Sequence, residues 1–506
     1  MLKTKTFINT VKSNIEHFGR QSLLGKCDLI SFVFLFLFFI DCSFSGGGKY
    51  LEIGPISFRM FAGIASLFFA LPKLIINIKN YIKKPVFYML SAFLVYLIFS
   101  AILGIKANNN MEVLITDIKG FMWLFTVPAL VITVDSKKRF DYILKAIVIG
   151  ALIQAAMVLI ILFGCCLIPD GIKYFYQPMF DLQFGTVSII SNTVFRIFTR
   201  SSPYMIVACS IVFFKQLKED KIKAKYIFAI MLFLLCILFS FTRSLYGCAV
   251  LVFACMVFAT LTVYRNKIKL MLKTLSLTLL ALLVSISVLE FAFDASYFNF
   301  AVSRTLGTSV RQSIIVTIKY EIKNFDFAEI FSPNPSTTIS NDTSSDDDTS
   351  NDDGLIKDED KYKQEQILND FINQQNYIEE TKESDNIRET TKQELKSLIA
   401  KNPIIGNGLG ACSETRNGPD EYFYYDMLAR MGIIGLLLYI APFIYVCFYV
   451  LRKRALLPHN MSSVALLCGM IGFWGATWFN PWMNAVLGIA VYALTCSIFE
   501  VFKKEN

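Results

Sequence analysis

Two adjacent carboxylates, Asp420 and Glu421, lie just before an apolar run that begins near residue 427. They belong to the sequence Asp-Glu-Tyr-Phe-Tyr-Tyr-Asp, which ends at Asp426. Aromatic residues are common where a helix enters a membrane, but carboxylates are less so. A partly desolvated carboxylate has a raised pKa and can take a proton from a hydroxyl group as a general base. Glu421, with Asp420 beside it, is therefore the candidate catalytic group.

A set of arginines lies in segments that we expect on the same side of the membrane as these carboxylates. They are Arg196, Arg200, Arg243, Arg311 and Arg388. For any one of them, contact with lipid headgroups or with loop carboxylates is the better explanation. As a set they suit an anionic ligand, because a planar guanidinium can form two hydrogen bonds to phosphate oxygens. We predict that they bind an anionic ligand through its phosphate oxygens.

A proline and closely spaced glycines precede the carboxylates, at Pro403, Gly406, Gly408 and Gly410. Proline ends a helix, and glycine permits turns and a close approach of the backbone to a ligand. We predict a turn of that kind at Pro403, Gly406 and Gly408. Alternating glycines are weak evidence, and a flexible loop leading back to the membrane is the simpler alternative.

The composition indicates the class of protein that contains these candidate site residues. The chain has 506 residues, of which 55% are hydrophobic and 18% charged, which is typical of a polytopic helical membrane protein rather than a soluble one. The net charge of +9 comes from short clusters between apolar runs, so it indicates membrane orientation and not nucleic-acid binding. Most of the 12 cysteines lie in apolar runs, and neither a disulfide framework nor a metal site is expected.

Twelve apolar runs are long enough, or nearly so, to cross a bilayer as helices. They lie at 27–44, 56–76, 86–104, 113–134, 141–168, 201–215, 226–241, 245–264, 270–293, 427–451, 461–479 and 482–501. We interpret the first run as a retained span rather than a cleaved signal peptide. A basic cluster follows every even-numbered run, such as Lys137, Lys138 and Arg139 after the fourth. The positive-inside rule then predicts that both termini are cytoplasmic.

We therefore expect an all-α fold of about twelve spans with three parts. These are an N-terminal membrane domain at 1–293, a large extracytoplasmic loop at 294–426 and a C-terminal membrane domain of about three spans at 427–506. Residues 332–354 of the loop have almost no apolar content, so this insert is predicted to be disordered. Leu395, Leu398 and Ile399 have helical spacing and predict a helix at the end of the following charged stretch.

The order of these motifs resembles a known family. Arg388, the run Asn402-Pro403-Ile404-Ile405-Gly406-Asn407-Gly408, Glu421 and the run Leu428–Gly435 are similar to the signature block of the O-antigen ligase / Wzy-type polymerase superfamily. The turn Ser240–Ser244 resembles that family's upstream Ser-x-Ser-Arg turn. Ligases of the family carry histidine where this chain has Glu421. The histidines here, His17 and His459, fall on the cytoplasmic side of the predicted topology, which favours a polymerase.

The resemblance implies a GT-C-like, metal-independent glycosyltransferase of the bacterial inner membrane with no cofactor. It would join undecaprenyl-diphosphate-linked oligosaccharides into O-antigen, capsule or exopolysaccharide on the extracytoplasmic (periplasmic) face. The diphosphate would be bound by Arg243 and Arg388, with Arg196, Arg200 and Arg311 as further candidates. Its expected partners are these lipid-linked glycans and membrane lipid, not nucleic acid, and the resemblance also allows a chain-length regulator. Two alternatives stay open. One is a ligase that transfers glycan to lipid A core or protein, and the other is a transporter or flippase of lipid-linked oligosaccharide.

Overall fold

The computed structural model describes residues 2–47, 52–53, 56–191, 194–293, 295, 297, 374–415, 422–478 and 480–502. Helices dominate these residues. In chain order they are α1 (Leu2–Phe44), α2 (Phe58–Ile82), α3 (Pro85–Lys106), α4 (Met111–Met122), α5 (Thr126–Thr133), α6 (Lys137–Leu167), α7 (Gly171–Asp181), α8 (Ser202–Lys218), α9 (Ala224–Phe239), α10 (Arg243–Thr262), α11 (Ile268–Phe293), α12 (Gln374–Lys401), α13 (Phe423–Arg452), α14 (Met461–Ala476), α15 (Val486–Cys496) and α16 (Ile498–Val501). A 3-10 turn at Trp123–Phe125 joins α4 to α5, and another at Trp482–Asn484 precedes α15.

Eight helical stretches within the described ranges are long and apolar enough to cross a membrane. They are Leu23–Phe44, Phe58–Ile82, Pro85–Lys106, Met111–Thr133, Lys137–Leu167, Arg243–Thr262, Arg265–Phe293 and Phe423–Arg452. Shorter apolar stretches at Ala224–Phe239, Met461–Ala476 and Val486–Val501, together with α8, occupy the remaining predicted runs. These helices are those of a polytopic membrane protein, as predicted. The number of spans and the boundaries of the three predicted domains stay predictions.

Two small β-hairpins depart from the all-α expectation. Strands β1 (Glu52–Ile53) and β2 (Ile56–Ser57) form one, and β3 (Gly185–Ser191) and β4 (Val194–Thr199) form the other, both antiparallel. The second hairpin is rich in β-branched and aromatic residues, which favour strands. Its buried Val187 and Ile197 face each other across the two strands, and the hairpin packs on α6, α7 and α9. Segment 169–200, which reads as a mixed loop in the sequence, is thus α7 followed by a hairpin.

Polar contacts between connecting segments show which of these segments lie at the same end of the helix bundle. At one end Lys84 pairs with Glu500, and Lys137 donates to the carbonyl oxygen of His459 at 2.8 Å. All four residues lie in segments predicted to be cytoplasmic, so we call this the basic end. At the opposite end the Ser201 hydroxyl donates to the carbonyl oxygen of Phe44 at 3.0 Å. We call this the loop end, because α11, the helix that precedes the 294–426 segment, ends there with Phe293 packed against Phe163 of α6.

Candidate functional site

Arg196, one of the predicted diphosphate-binding arginines, contacts the turn that precedes another, Arg243. Arg196 lies on β4, and its Nε donates a hydrogen bond to the carbonyl oxygen of Ser240 at 3.0 Å. Ser240 caps the end of α9, and Arg243 begins α10 three residues later with its side chain exposed. The hairpin therefore positions Arg196 at the turn that precedes Arg243. An anionic ligand shared by the two arginines would need them on the same side of the bundle in this way.

The turn between α9 and α10 has an unusual backbone conformation. Phe241 has a φ of +44° although it is not glycine, and a side chain in that region costs about 1–3 kcal/mol. Local hydrogen bonds hold the turn, since the Thr242 hydroxyl donates to the Ser240 carbonyl oxygen at 3.0 Å and the Thr242 N–H to the Ser240 hydroxyl at 3.3 Å. The strain sits at the start of α10, where the helix dipole presents partial positive charge.

Arg200 lies further along the same chain segment, between β4 and α8. Its N–H donates to the carbonyl oxygen of Phe184 at 2.8 Å, and its Cβ lies beside Gly46 after the end of α1. The side chain as a whole is exposed. Partial burial lowers the pKa of its guanidinium, which nevertheless keeps its charge at neutral pH. Arg200 is thus a cation at the loop end, four residues along from Arg196.

The helix that carries Arg388 is docked onto the bundle. Leu395 and Ile399 of α12 are fully buried against Tyr425 and Ala429 of α13, and α12 also contacts β3. The predicted helical spacing in this stretch is therefore confirmed. Arg388 lies two turns before Leu395 with its side chain exposed, on a helix that touches both the hairpin of Arg196 and the helix that follows Glu421.

Three predicted site residues lie outside the described residues, namely Asp420, Glu421 and Arg311, as does the 332–354 insert. Their roles stay predictions. The described chain resumes at Tyr422, and α13 starts at Phe423.

The glycine turn packs on the helices of the bundle. Helix α12 ends at Lys401, before Pro403. Gly406 and Gly408 have positive φ values of 77° and 87°, and the N–H of Gly408 donates to the carbonyl oxygen of Arg430 at 2.9 Å. A Cβ on Gly406 would lie 2.3 Å from that same oxygen, and one on Gly408 would lie 2.3 Å from the backbone nitrogen of Gly104. The close approach that the structure shows is therefore to helix backbones; an approach to a ligand stays a prediction.

A buried ionic cluster, which sequence reasoning missed, fixes this turn. Arg430 of α13 pairs with Asp117 of α4 and, at 2.7 Å, with Asp426. Its Nε also donates to the carbonyl oxygen of Ala411 at 2.9 Å, and Asp117 accepts from the N–H of Gly410 at 3.1 Å. The three charged side chains are at most 4% exposed. The cluster joins α4, α13 and the glycine turn through groups that would be costly to bury alone.

A second feature that was not predicted is the segment between α14 and α15. Asn480 donates to the hydroxyl of Ser244, next to Arg243, at 3.4 Å. Trp478 packs against Tyr424 with ring centroids 5.1 Å apart. Half-buried aromatic and amide side chains therefore lie between the arginine turn and the start of α13.

A cavity and the question of metal-binding clusters concern other parts of the described chain. A cavity of about 210 Å³ is lined by apolar side chains of α2, α3, α5 and α16, with Lys84 as its basic residue, which places it toward the basic end. Among the described residues, no group of three or more His, Cys, Asp or Glu side chains could hold a metal ion.

The fold and these sites define a class, a polytopic helical membrane protein with a cationic and aromatic site at one end. Comparisons with models of protein families, with curated proteins and with solved structures found no match to the chain. The resemblance to the ligase and polymerase superfamily therefore rests on the sequence motifs alone and stays a prediction.

Proposed function

We propose that this protein is a bacterial inner-membrane polysaccharide polymerase that joins undecaprenyl-diphosphate-linked oligosaccharides on the extracytoplasmic face. The hydrogen bond from Arg196 to Ser240 is the observation that best supports the proposal. It brings Arg196 to the turn that precedes Arg243, the first residue of α10, and cations near the positive end of a helix suit a diphosphate. The docking of α12 next to the same hairpin gives Arg388 access to that end of the bundle.

The reaction that we propose is a displacement at the anomeric carbon of the donor glycan. The acceptor hydroxyl oxygen forms the new C–O bond, and the bond from that carbon to the diphosphate oxygen breaks. The departing electron pair stays on the diphosphate, whose developing charge Arg243, Arg196 and Arg388 stabilise. Glu421, or Asp420 beside it, takes the hydroxyl proton. No metal or cofactor takes part in this scheme.

A transporter of lipid-linked oligosaccharide is the second candidate, and two observations favour it. Helix α13 is broken at Gly432, which has non-helical φ and ψ values of 62° and −172°, and a buried ionic cluster lies beside the break. Broken helices and intramembrane charges are common in transporters. Asp117 is the seventh residue of α4, roughly 9 Å from its start at 1.5 Å per residue, so the cluster lies well inside a hydrocarbon half-layer of about 15 Å. The sequence, however, has no repeated halves of the kind that many transporters carry, and this favours the enzyme.

The glycan profile of the source cells separates the polymerase from the ligase. Cells that lack a polymerase attach single repeat units to the final acceptor, whereas cells that lack a ligase attach none. We expect the deletion strain to give the single-unit pattern and the wild-type gene to restore long chains. Arg265→Ala, at the basic end of α10, should restore them as well, but Arg243→Ala, at its loop end, should not. A deletion strain with normal long chains would contradict the proposal.

A further inference from the structure

We propose that Trp478, Tyr424 and Asn480 form the subsite for the sugar that is bonded directly to the diphosphate of the donor. We call these three residues the aromatic platform. This inference rests on the proposed function, because it assigns a substrate group to the same end of the bundle. It adds residues that neither the sequence motifs nor the family resemblance includes.

The aromatic side chains are held in place by the packing of α13 and α14. The rings of Tyr424 and Trp478 lie 5.1 Å apart at 47°, and the ring of Trp474 stacks on Tyr424 from 6.4 Å. The Tyr424 hydroxyl donates to the carbonyl oxygen of Trp474 at 2.9 Å, which fixes the Tyr424 ring. Both Tyr424 and Trp478 are partly exposed. A rigid aromatic face of this kind can stack on the C–H groups of a sugar ring at little entropic cost.

Polar groups next to these rings suit the hydroxyl groups of a sugar. Asn480 is partly exposed and has an amide that can both donate and accept. One of its N–H groups donates to the Ser244 hydroxyl at 3.4 Å. The amide oxygen and the second N–H are then the polar groups that a sugar on the neighbouring Trp478 could contact.

The position of the platform selects which sugar it contacts. Asn480 donates to the hydroxyl of Ser244, and Ser244 is the residue after Arg243. An amide this close to a diphosphate-binding arginine is within reach of the first sugar of the donor, rather than of sugars further along the glycan. Aromatic residues at a membrane boundary often serve only as interfacial anchors. An anchor would affect the binding of a lipid equally, whether or not that lipid carries a sugar.

The test compares the binding of two lipids to the purified full-length protein in detergent. One probe is undecaprenyl diphosphate, and the other is undecaprenyl diphosphate bearing a single N-acetylglucosamine. We expect the wild type to bind the sugar-bearing lipid about tenfold more tightly, the magnitude of one good stacking contact. Trp478→Ala should remove this preference and leave the affinity for the sugarless lipid unchanged. Trp478→Phe, which keeps a ring, should restore part of the preference, and Trp123→Phe is the matched control.

The outcomes separate this inference from the proposed function. A wild type without any preference for the sugar-bearing lipid would overturn the platform, and so would a preference that survives in Trp478→Ala. If the wild type binds neither lipid, the proposed function itself fails. Arg243→Ala should lower the affinity for both lipids by the same factor, because both lipids carry the diphosphate. Elution of each variant as a single species of wild-type size in gel filtration excludes misfolding as the cause.

Discussion

The guanidinium Nε of Arg196 lies 3.0 Å from the carbonyl oxygen of Ser240, although 44 residues separate them in the chain. This contact joins the β3–β4 hairpin to the turn that starts α10. It brings the guanidinium of Arg196 to the turn that Arg243 follows, whereas the sequence could group these two arginines only by their side of the membrane.

The first prediction concerns Arg243. We expect Arg243→Ala to lower the affinity for undecaprenyl diphosphate about ten- to a hundredfold, the effect of losing a charge-assisted hydrogen bond of about 1.5–3 kcal/mol. Binding of the radiolabelled lipid to purified protein measures the change. Arg265→Ala is the control, because Arg265 is an exposed arginine at the other end of the same helix region. Equal affinities for the two variants would count against the arginine site.

The second prediction concerns the candidate base. Glu421→Ala and Glu421→Gln should both abolish glycan elongation, since neither side chain can accept the acceptor's proton, while the protein still inserts in the membrane. Asp420→Asn is the comparison that assigns the role to one carboxylate or the other. Electrophoresis of surface glycan and immunoblotting of membranes give the two readouts. Normal long chains in a Glu421→Ala strain would remove Glu421 from the mechanism.

The third prediction concerns the buried ionic cluster. Arg430→Met leaves Asp117 and Asp426 without their arginine in a buried site, so it should lower the free energy of unfolding by about 3–5 kcal/mol. Lys173→Met is the control, because it breaks the exposed pair of Lys173 and Asp170 at 3.4 Å and should cost less than about 1 kcal/mol. Denaturant unfolding in detergent measures both. Similar losses for the two variants would mean that the cluster does not stabilise the turn.

The fourth prediction concerns the glycine turn. Gly406→Ala and Gly408→Ala should each destabilise the protein by more than about 1 kcal/mol, because the φ is positive and the new methyl group meets backbone atoms at 2.3 Å. Gly247→Ala is the matched control. It lies within α10 with nothing inside 4 Å of the new Cβ, and it should be neutral or stabilising. The melting temperatures of the purified variants measure these effects. A Gly406→Ala variant that melts like the wild type would contradict the close packing of the glycine turn on the helices.

Sequence periodicity and charge account for much of the fold. The apolar runs predict where the described helices lie, because a membrane span must be long and apolar. The basic clusters group segments such as those of Lys137 and His459, which the structure places in contact. Leu395 and Ile399 predict α12 because their spacing gives the helix an apolar stripe, which Tyr425 and Ala429 cover.

Other features have no local signal in the chain. Asp117 and Arg430 are 313 residues apart, so their pairing depends on how α4 and α13 pack, although the four-residue spacing of Asp426 and Arg430 could have suggested a helical ion pair. The β3–β4 hairpin lies in a stretch whose aromatic and polar residues read as a loop. Trp478 falls at the end of an apolar run, where an aromatic residue is expected for membrane anchoring alone.

Elongation by the purified protein tests the central claim most directly. The protein in detergent, where no gradient can exist, is mixed with lipid-linked repeat units extracted from the source cells, and the products are separated by length. We predict a ladder of longer lipid-linked glycans with the wild type and none with Glu421→Ala. If the wild type leaves the repeat units at their original length, yet moves them across the membrane of proteoliposomes, the protein is a transporter and not a polymerase.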